Sequence, residues 1–322
     1  MRVLVTGATG YVGSRLVPAL LSEGHSVAAA TRHEDGVAAF SWGDAVDPTM
    51  FDVEDPDTVE AALSDVDAVV YLVHSMGEGD FVTKDREAAE RVSAAAGRRR
   101  VGRIVYLSGL IPDGSLSDHL RSRQEVERTF LAGPVATTVL RAAMVIGSGS
   151  TSFELLRHMS DRLPVTPVPR WMCSTLQPIA VQDVVHLLAG ALRGEPRNRG
   201  YDVGGSEQVT YPELLRAYAS AAGRRRPQVV LPGIPKPVAA RLISAVSGMP
   251  RGTLTPLIDS LSHDMVCRED DALRDLAAPG HRLLTLAEAL SLSLSRTEEG
   301  TELGGDAQAP AASDPDWAGA GD

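Results

Sequence analysis

The chain has 322 residues, 43% of them apolar and 23% charged, and a net charge of −11. That is the profile of a soluble globular protein with one large or two linked domains. No apolar run reaches the ~18 residues of a bilayer span, and no signal peptide is expected ahead of the first strand. Cys173 and Cys267 stand alone, which excludes a disulfide scaffold or a metal site built on cysteine pairs. The eight histidines show no metal-ligand spacing. A reduced, cytoplasmic setting without membrane insertion follows as the expectation.

The charge is unevenly placed. Residues 297–322 carry seven acids and no Lys or Arg, so the remainder is at −4. A mildly acidic body argues against nucleic acid as a partner. The runs Arg98–Arg100 and Arg224–Arg226 each follow a predicted helix and precede a predicted strand, and read as solvated turns.

In chain order, 3–5 is a buried strand and 12–23 a helix with Val12, Leu16, Val17, Leu20 and Leu21 on one face. Pro18 should kink that helix, since it cannot donate to the Ser14 carbonyl. A strand follows at 27–30, and a third ends near 51–53. Asp55 caps a helix with Pro56 at its first position. Then come a strand at 68–73, a helix over 80–97, a strand at 104–107, a helix over 118–131 and a strand at 137–145. This alternation predicts a doubly wound α/β fold on a parallel sheet. After 147 the rhythm changes. A helix and a Pro-rich loop fill 151–176, and a strand feeds a helix at 184–192. A short strand ends at Gly205, a helix covers 211–222, and 228–290 reads as mostly helical. From about 296 the composition predicts disorder, so that deleting 297–322 would leave the melting temperature unchanged to within about a degree or two. The expected division is a nucleotide domain over 1–147 completed by 177–205, a lobe from 148–176 and 206–295, and the acidic tail.

The motif that carries function is Gly7-Ala8-Thr9-Gly10-Tyr11-Val12-Gly13, between the first strand and first helix. Glycines allow the close backbone approach that a pyrophosphate needs, and the helix N-terminus offers free N–H groups. In this strand–turn–helix context the loop predicts a Rossmann-type dinucleotide site. An NAD site usually places an acid at the end of the second strand. Here that strand ends Thr31-Arg32, with no acid before Glu34. Arg32 suits a 2′-phosphate, with Arg15 as a second clamp, so NADP(H) is favoured over NAD(H).

These residues resemble the short-chain dehydrogenase/reductase superfamily, in its atypical, NmrA-like branch. The resemblance extends to Asp52-Val53, Val70-Tyr71-Leu72-Val73-His74, Leu107-Ser108-Gly109, Pro178 to Val184, and Tyr201 to Gly205. It covers about 1–225 and fades toward 290. It implies that Asp52 and Val53 contact adenine, that Leu72 lies along the cofactor, and that Ser108 hydrogen-bonds a substrate oxygen. The superfamily's reaction uses a Tyr with a Lys four residues on. None of the six tyrosines here has that Lys. In the expected helix His119 and Arg123 stand in those places, sharing one face.

His119 could transfer a proton, contact cofactor or substrate, or be a surface residue. Arg123 disfavours imidazolium, so His119 would act as a neutral group, while Arg123 itself holds ribose hydroxyls. His74, at a strand end, is a second candidate proton carrier. Asp183 reads as a helix cap, and Trp171 and Met172 as pocket lining or lid packing. The leading expectation is an NADP(H)-dependent oxidoreductase acting on a small molecule, as a monomer or homodimer. The alternative is a non-catalytic NADP(H) sensor of the NmrA type.

Overall fold

The computed structural model describes residues 1–74, 80–114, 116–247, 258, 261–295, 307–308, 311 and 314. Seven strands form one sheet: β1 (Arg2–Thr6), β2 (Ser26–Thr31), β3 (Asp47–Met50), β4 (Ala68–Tyr71), β5 (Arg103–Gly109), β6 (Thr137–Ala142) and, after four short strands, β11 (Arg199–Val203). Their order is β11-β6-β5-β4-β1-β2-β3, and every neighbouring pair is parallel. Strands buried on both faces need continuous apolar runs, as in β4, where all four residues are buried. β3 sits at the sheet edge and ends at Met50, just short of the predicted end at 51–53. Its sequence, Asp-Pro-Thr-Met, is mostly exposed and carries no apolar signal.

Helices α1 (Tyr11–Ser22), α2 (Pro56–Ala62), α3 (Phe81–Arg98) and α4 (Asp118–Leu131) flank the sheet. The Asp55 carboxylate caps α2, and the Ser117 hydroxyl caps α4. Buried Asp85 on α3 accepts a 2.6 Å hydrogen bond from Ser122 on α4, which fixes the second helix against the first. Pro18, where a kink is expected, lies inside α1. The Ser14 carbonyl that Pro18 cannot satisfy accepts a hydrogen bond from the buried Trp42 Nε1 at 3.1 Å. An outside donor has replaced the missing one, so the carbonyl is not left unsatisfied inside the fold.

Helices α6 (Val181–Gly190) and α9 (Asp271–Leu276) pack into the core of the sheet, while the lobe is built from α5 (Thr151–Arg162), β8 (Thr166–Pro169), β9 (Thr175–Leu176), β12 (Val209–Thr210), α7 (Tyr211–Ala221), β13 (Gln228–Leu231), α8 (Lys236–Ser247) and α10 (Leu286–Leu294), with the short pair β7 (Val145–Ile146) and β10 (Ile179–Ala180) at the boundary. A separate apolar cluster, with Phe153, Leu156, Leu214, Tyr218 and Leu290 fully buried, forms its centre. The stretch from 228 is less helical than predicted: β13 pairs with β8, and Met265 bridges to Leu176. Asp183 does not cap α6. Its buried carboxylate accepts from Leu284 N and lies 3.0 Å from His281 Nε2, tying the helix to the segment before α10.

The acidic tail departs furthest from expectation. Most of it lies outside the described residues, but the part that is described is docked. Gln308 is fully buried. Its side-chain amide donates to Ile146 O, Ala289 O and Ser293 Oγ, and its Oε1 accepts from Gln182 N at the start of α6. Asp314 pairs with Arg15 at 2.8 Å, with 8% and 3% of the two side chains exposed. Composition gave no hint of this, because among the described residues the attachment is made by hydrogen bonds and an ion pair.

Candidate active site

The glycine loop is shaped by what it cannot accommodate. Gly7 has a φ of +69°, in the left-handed region open to glycine. A Cβ on Gly13 would lie 2.1 Å from Gly7 O and 2.8 Å from Ala8 Cα, both backbone atoms that cannot move aside. Gly10 N donates to Gly7 O, closing the turn, and Gly10 serves as N-cap of α1 with no side chain over the helix end. The first turn of α1 has no acid. These features leave an open helix N-terminus with close backbone access, the setting a pyrophosphate requires.

From this loop a cavity of about 480 Å³ runs along the ends of β1, β4, β5 and β6 and under the lobe. It brings together Gly7, Gly10–Gly13, Leu72, His74, Ser108, His119 and Arg123, which are scattered over more than a hundred positions. Arg32, Asp52 and Val53 do not line it. Arg32 is exposed just past β2 and makes no ion pair among the described residues. Asp52 Oδ1 accepts from Glu54 N, and the Val53 carbonyl accepts from Arg91. Arg15 is not a phosphate clamp. Its guanidinium is buried against Asp314 and the carbonyls of Tyr11, Ser148 and Ala307. Its place one turn into α1 suggested phosphate, and the partner that claims it lies 299 residues away.

Arg123 organises the reactive cluster. Its Nε donates to His119 Nε2 at 3.2 Å, its Nη2 lies 3.0 Å from His74 Nε2, and its Nη1 donates to the Leu107 carbonyl at 3.2 Å. A guanidinium has only donors, so both Nε2 atoms accept and each ring carries its proton on Nδ1. The same arrangement suppresses a second proton. The Arg123 charge, then burial, holds His74 well below the usual imidazole range. Burial, then Arg123, brings His119 down to about 4. Both rings are neutral at physiological pH, as the adjacent arginine led us to expect for His119, and the reading of His119 as a surface residue is excluded. The rings meet edge to face, with centroids 6.4 Å apart. Ser108 is 2% exposed, and its Oγ makes no well-formed hydrogen bond, with the Tyr106 hydroxyl the polar group beside it. A buried hydroxyl left in this way costs roughly 1–3 kcal/mol unless a ligand satisfies it.

Tyrosine does not replace the missing family residue. Tyr71, Tyr106, Tyr201 and Tyr218 are core residues. Tyr11 and Tyr211 reach the cavity, but burial raises both hydroxyls above the ordinary range, so they stay protonated.

The far wall was not foreseen. Leu155, Leu176, Tyr211, Leu261 and Met265 make it apolar, and His263 adds a third imidazole. Nothing in their order signals it, because Leu261 and His263 lie in a turn and a bend and only Met265 sits in a β-bridge. Trp171 and Met172 do not line the cavity. Trp171 Nε1 donates to Ile234 O, and Met172 is buried in the lobe core.

Residues 7–146 match the family model described as NAD(P)H-binding. The chain is 25% identical over 276 residues to an uncharacterised protein of Mycobacterium tuberculosis, covering 85% of this chain but only 29% of that one. The chain therefore spans less than a third of the length of the first curated relatives it matches. A ceramide reductase of Caulobacter vibrioides is 26% identical over 273 residues, covering 80% of this chain and 81% of that one. The Citrobacter triphenylmethane reductase, solved with NADP(H), superposes with a TM-score of 0.72 at 17% identity, over 91% of this chain and 100% of that one. No helix among the described residues is long and apolar enough to cross a membrane. With its cradle formed by residues 7–13 and its sheet of seven parallel strands, the chain is similar over residues 7–146 to NAD(P)H-binding domains and shares a Rossmann-type fold with the solved reductase.

Proposed function

We propose that this protein is an NADP(H)-dependent oxidoreductase that interconverts a carbonyl and an alcohol on a largely apolar small molecule. One observation carries the reading. A single cavity joins the glycine cradle to a polar cluster of Ser108, His74, His119 and Arg123, and then to an apolar wall. When bound, the nicotinamide supplies or accepts the hydride. The N-terminal N–H groups of α1 would hold the pyrophosphate, Leu72 and Arg123 would lie along the nicotinamide ribose side, and Arg32 would meet a 2′-phosphate. Ser108 donates its hydroxyl to the substrate oxygen. The neutral imidazoles supply Nδ1–H groups as hydrogen-bond donors rather than strong acids, and Arg123 fixes both in that tautomer. The names of the ceramide and triphenylmethane reductases support a bulky apolar substrate, and the NADP(H) complex of the latter supports the cofactor.

Two experiments test this. In calorimetry NADPH should bind at least about tenfold tighter than NADH, a difference of about 1.4 kcal/mol that Arg32→Ala removes. Equal affinities in the wild type would sink the NADP(H) assignment. In a cofactor-oxidation screen over apolar aldehydes and ketones, Ser108→Ala and His119→Ala should each lower turnover by ~10²–10⁴ while nucleotide still binds. If His119→Ala matches wild type and His74→Phe abolishes turnover, the proton path runs through His74. The missing Tyr–Lys pair favours a second reading, a redox sensor. It takes over if nothing is turned over and only the affinities for oxidised and reduced nucleotide differ.

A further inference from the structure

The turn between β7 and α5 is built without side chains at two of its three positions. Gly147, Ser148 and Gly149 join β7 to Ser150, the N-cap of α5. A Cβ on Gly147 would lie 2.3 Å from the Tyr11 hydroxyl oxygen. A Cβ on Gly149 would lie 2.3 Å from the carboxylate carbon of Asp314, and the φ of +82° there is left-handed as well. The turn is therefore shaped to take the first residue of α1 and the carboxylate of the tail.

The tail is bonded to this turn and to the arginine beside it. Gln308 Nε2 donates to Ile146 O at 2.8 Å, and Gln308 O accepts from Ser148 N at 3.3 Å. Arg15 Nη2 donates to Ser148 O and to both Asp314 carboxylate oxygens at 2.8–3.0 Å, and Arg15 Nε donates to Ala307 O at 2.9 Å. The guanidinium so held lies 4.2 Å over the Tyr11 ring and donates to the Tyr11 carbonyl. Tyr11 lines the cavity at its nucleotide end, and Thr151, Ser152 and Leu155 of α5 line it under the lobe. One buried ion pair thus backs both walls. Neither Gln308 nor Asp314 lines the cavity, so these two residues stand behind the walls and not in the place of a ligand.

We propose that Asp314 and Gln308 are positioning residues for the nucleotide: the docked tail sets Tyr11 and the start of α5 at the spacing that bound nucleotide requires. This rests on the reading of the glycine loop as a nucleotide cradle, and not on the reaction or on which nucleotide is preferred. Without Asp314 the Arg15 charge is buried and unpaired, so the guanidinium leaves its place over Tyr11. Electrostatics alone predicts the opposite sign. Removing an acid beside the cradle adds positive potential, which attracts an anionic nucleotide. A loss of affinity therefore reports geometry. Linkage adds a second demand: if docking favours nucleotide, nucleotide must favour docking by the same factor.

Two measurements on the full chain test this. Calorimetric titration of NADPH into Asp314→Asn, well below its melting temperature, should show binding about tenfold weaker than in the wild type. Hydrogen exchange of the wild-type tail over 307–314, where Ala311 N donates to the Asp314 carboxylate, should slow by about the same factor under saturating NADPH. The second measurement needs no variant, so it decides even if Asp314→Asn folds poorly. A tail that serves stability alone would exchange at one rate with or without nucleotide, and that result overturns the proposal. So does Asp314→Asn binding NADPH as tightly as the wild type, or more tightly. A wild type that binds neither NADPH nor NADH fails the cradle reading and this proposal with it, an outcome seen before any variant is made.

Discussion

The two ends of the cavity are made by different means. The nucleotide end is backbone: seven consecutive residues, 7–13, whose glycines allow a turn and a close approach that side chains would block. The reactive end is side chain: His74 follows β4, Ser108 lies on β5, His119 and Arg123 on α4, and the wall beyond them comes from the lobe. The first end should therefore fail when atoms are added. The second should fail when a charge or a proton moves, even if its shape survives.

The largest effect is expected where the chain ties the two ends together. Truncation after residue 295 removes Asp314 and leaves the Arg15 charge buried and unpaired beside the glycine loop. It also removes the Gln308 amide from the start of α6. Breaking a buried pair in this way costs about 3–5 kcal/mol. Denaturant unfolding should show that loss, and a melting temperature unchanged to within a degree would restore the picture of an unattached tail.

Next is the pH response of the reactive end. His119 is held near 4 in the folded chain against 6.5 for the free side chain. Its contribution is thus complete above pH 6.5 and is lost as pH falls from 6.5 through 4, because the unfolded chain takes up the proton first. His74 acts in the same direction. The loss for His119 is about 3 kcal/mol. His119→Phe should flatten the slope of stability against pH in that window, and an unchanged slope would mean that His119 is not held neutral by its site.

A smaller loss is expected at the nucleotide end. Gly13→Ala drives a methyl into the Gly7 carbonyl, and overpacking of this kind costs about 2 kcal/mol. Calorimetry should register it as a fall of roughly thirtyfold in nucleotide affinity. Ser108→Ala, by contrast, deletes a hydroxyl with no well-formed protein hydrogen bond and should leave that affinity within about twofold. If the two variants behave alike, the distinction between a backbone end and a side-chain end is lost.

That distinction also governs what was legible in the sequence. The glycine loop could be read because its constraint is local: Gly7, Gly10 and Gly13 shape one turn among themselves. The parallel strands could be read because burial on both faces leaves apolar runs such as Ala68–Tyr71. Edge strand β3, with Pro48 and exposed neighbours, left no such trace. The His119 and Arg123 pair was visible as helical spacing, but the approach of His74 to the same guanidinium spans 49 residues and needs the fold. Arg15 shows the opposite failure. Its local context suggested phosphate, and a distant carboxylate decided otherwise.

The hydrogen bond that rescues α1 at Pro18 has an optical consequence. Of the three tryptophans, Trp317 lies outside the described residues, Trp42 is fixed to the phosphate-facing helix, and Trp171 is fixed to the loop before α8. Trp42 is 2% exposed and stacks on Phe40 with centroids 4.6 Å apart, a dry and rigid surrounding for an indole. Each lobe therefore has a native fluorophore held by its own indole N–H. With Trp171→Phe and Trp317→Phe in place, the remaining emission becomes a reporter of the cradle alone. It allows nucleotide occupancy to be followed in real time without a label, separately from events in the lobe that meets the substrate.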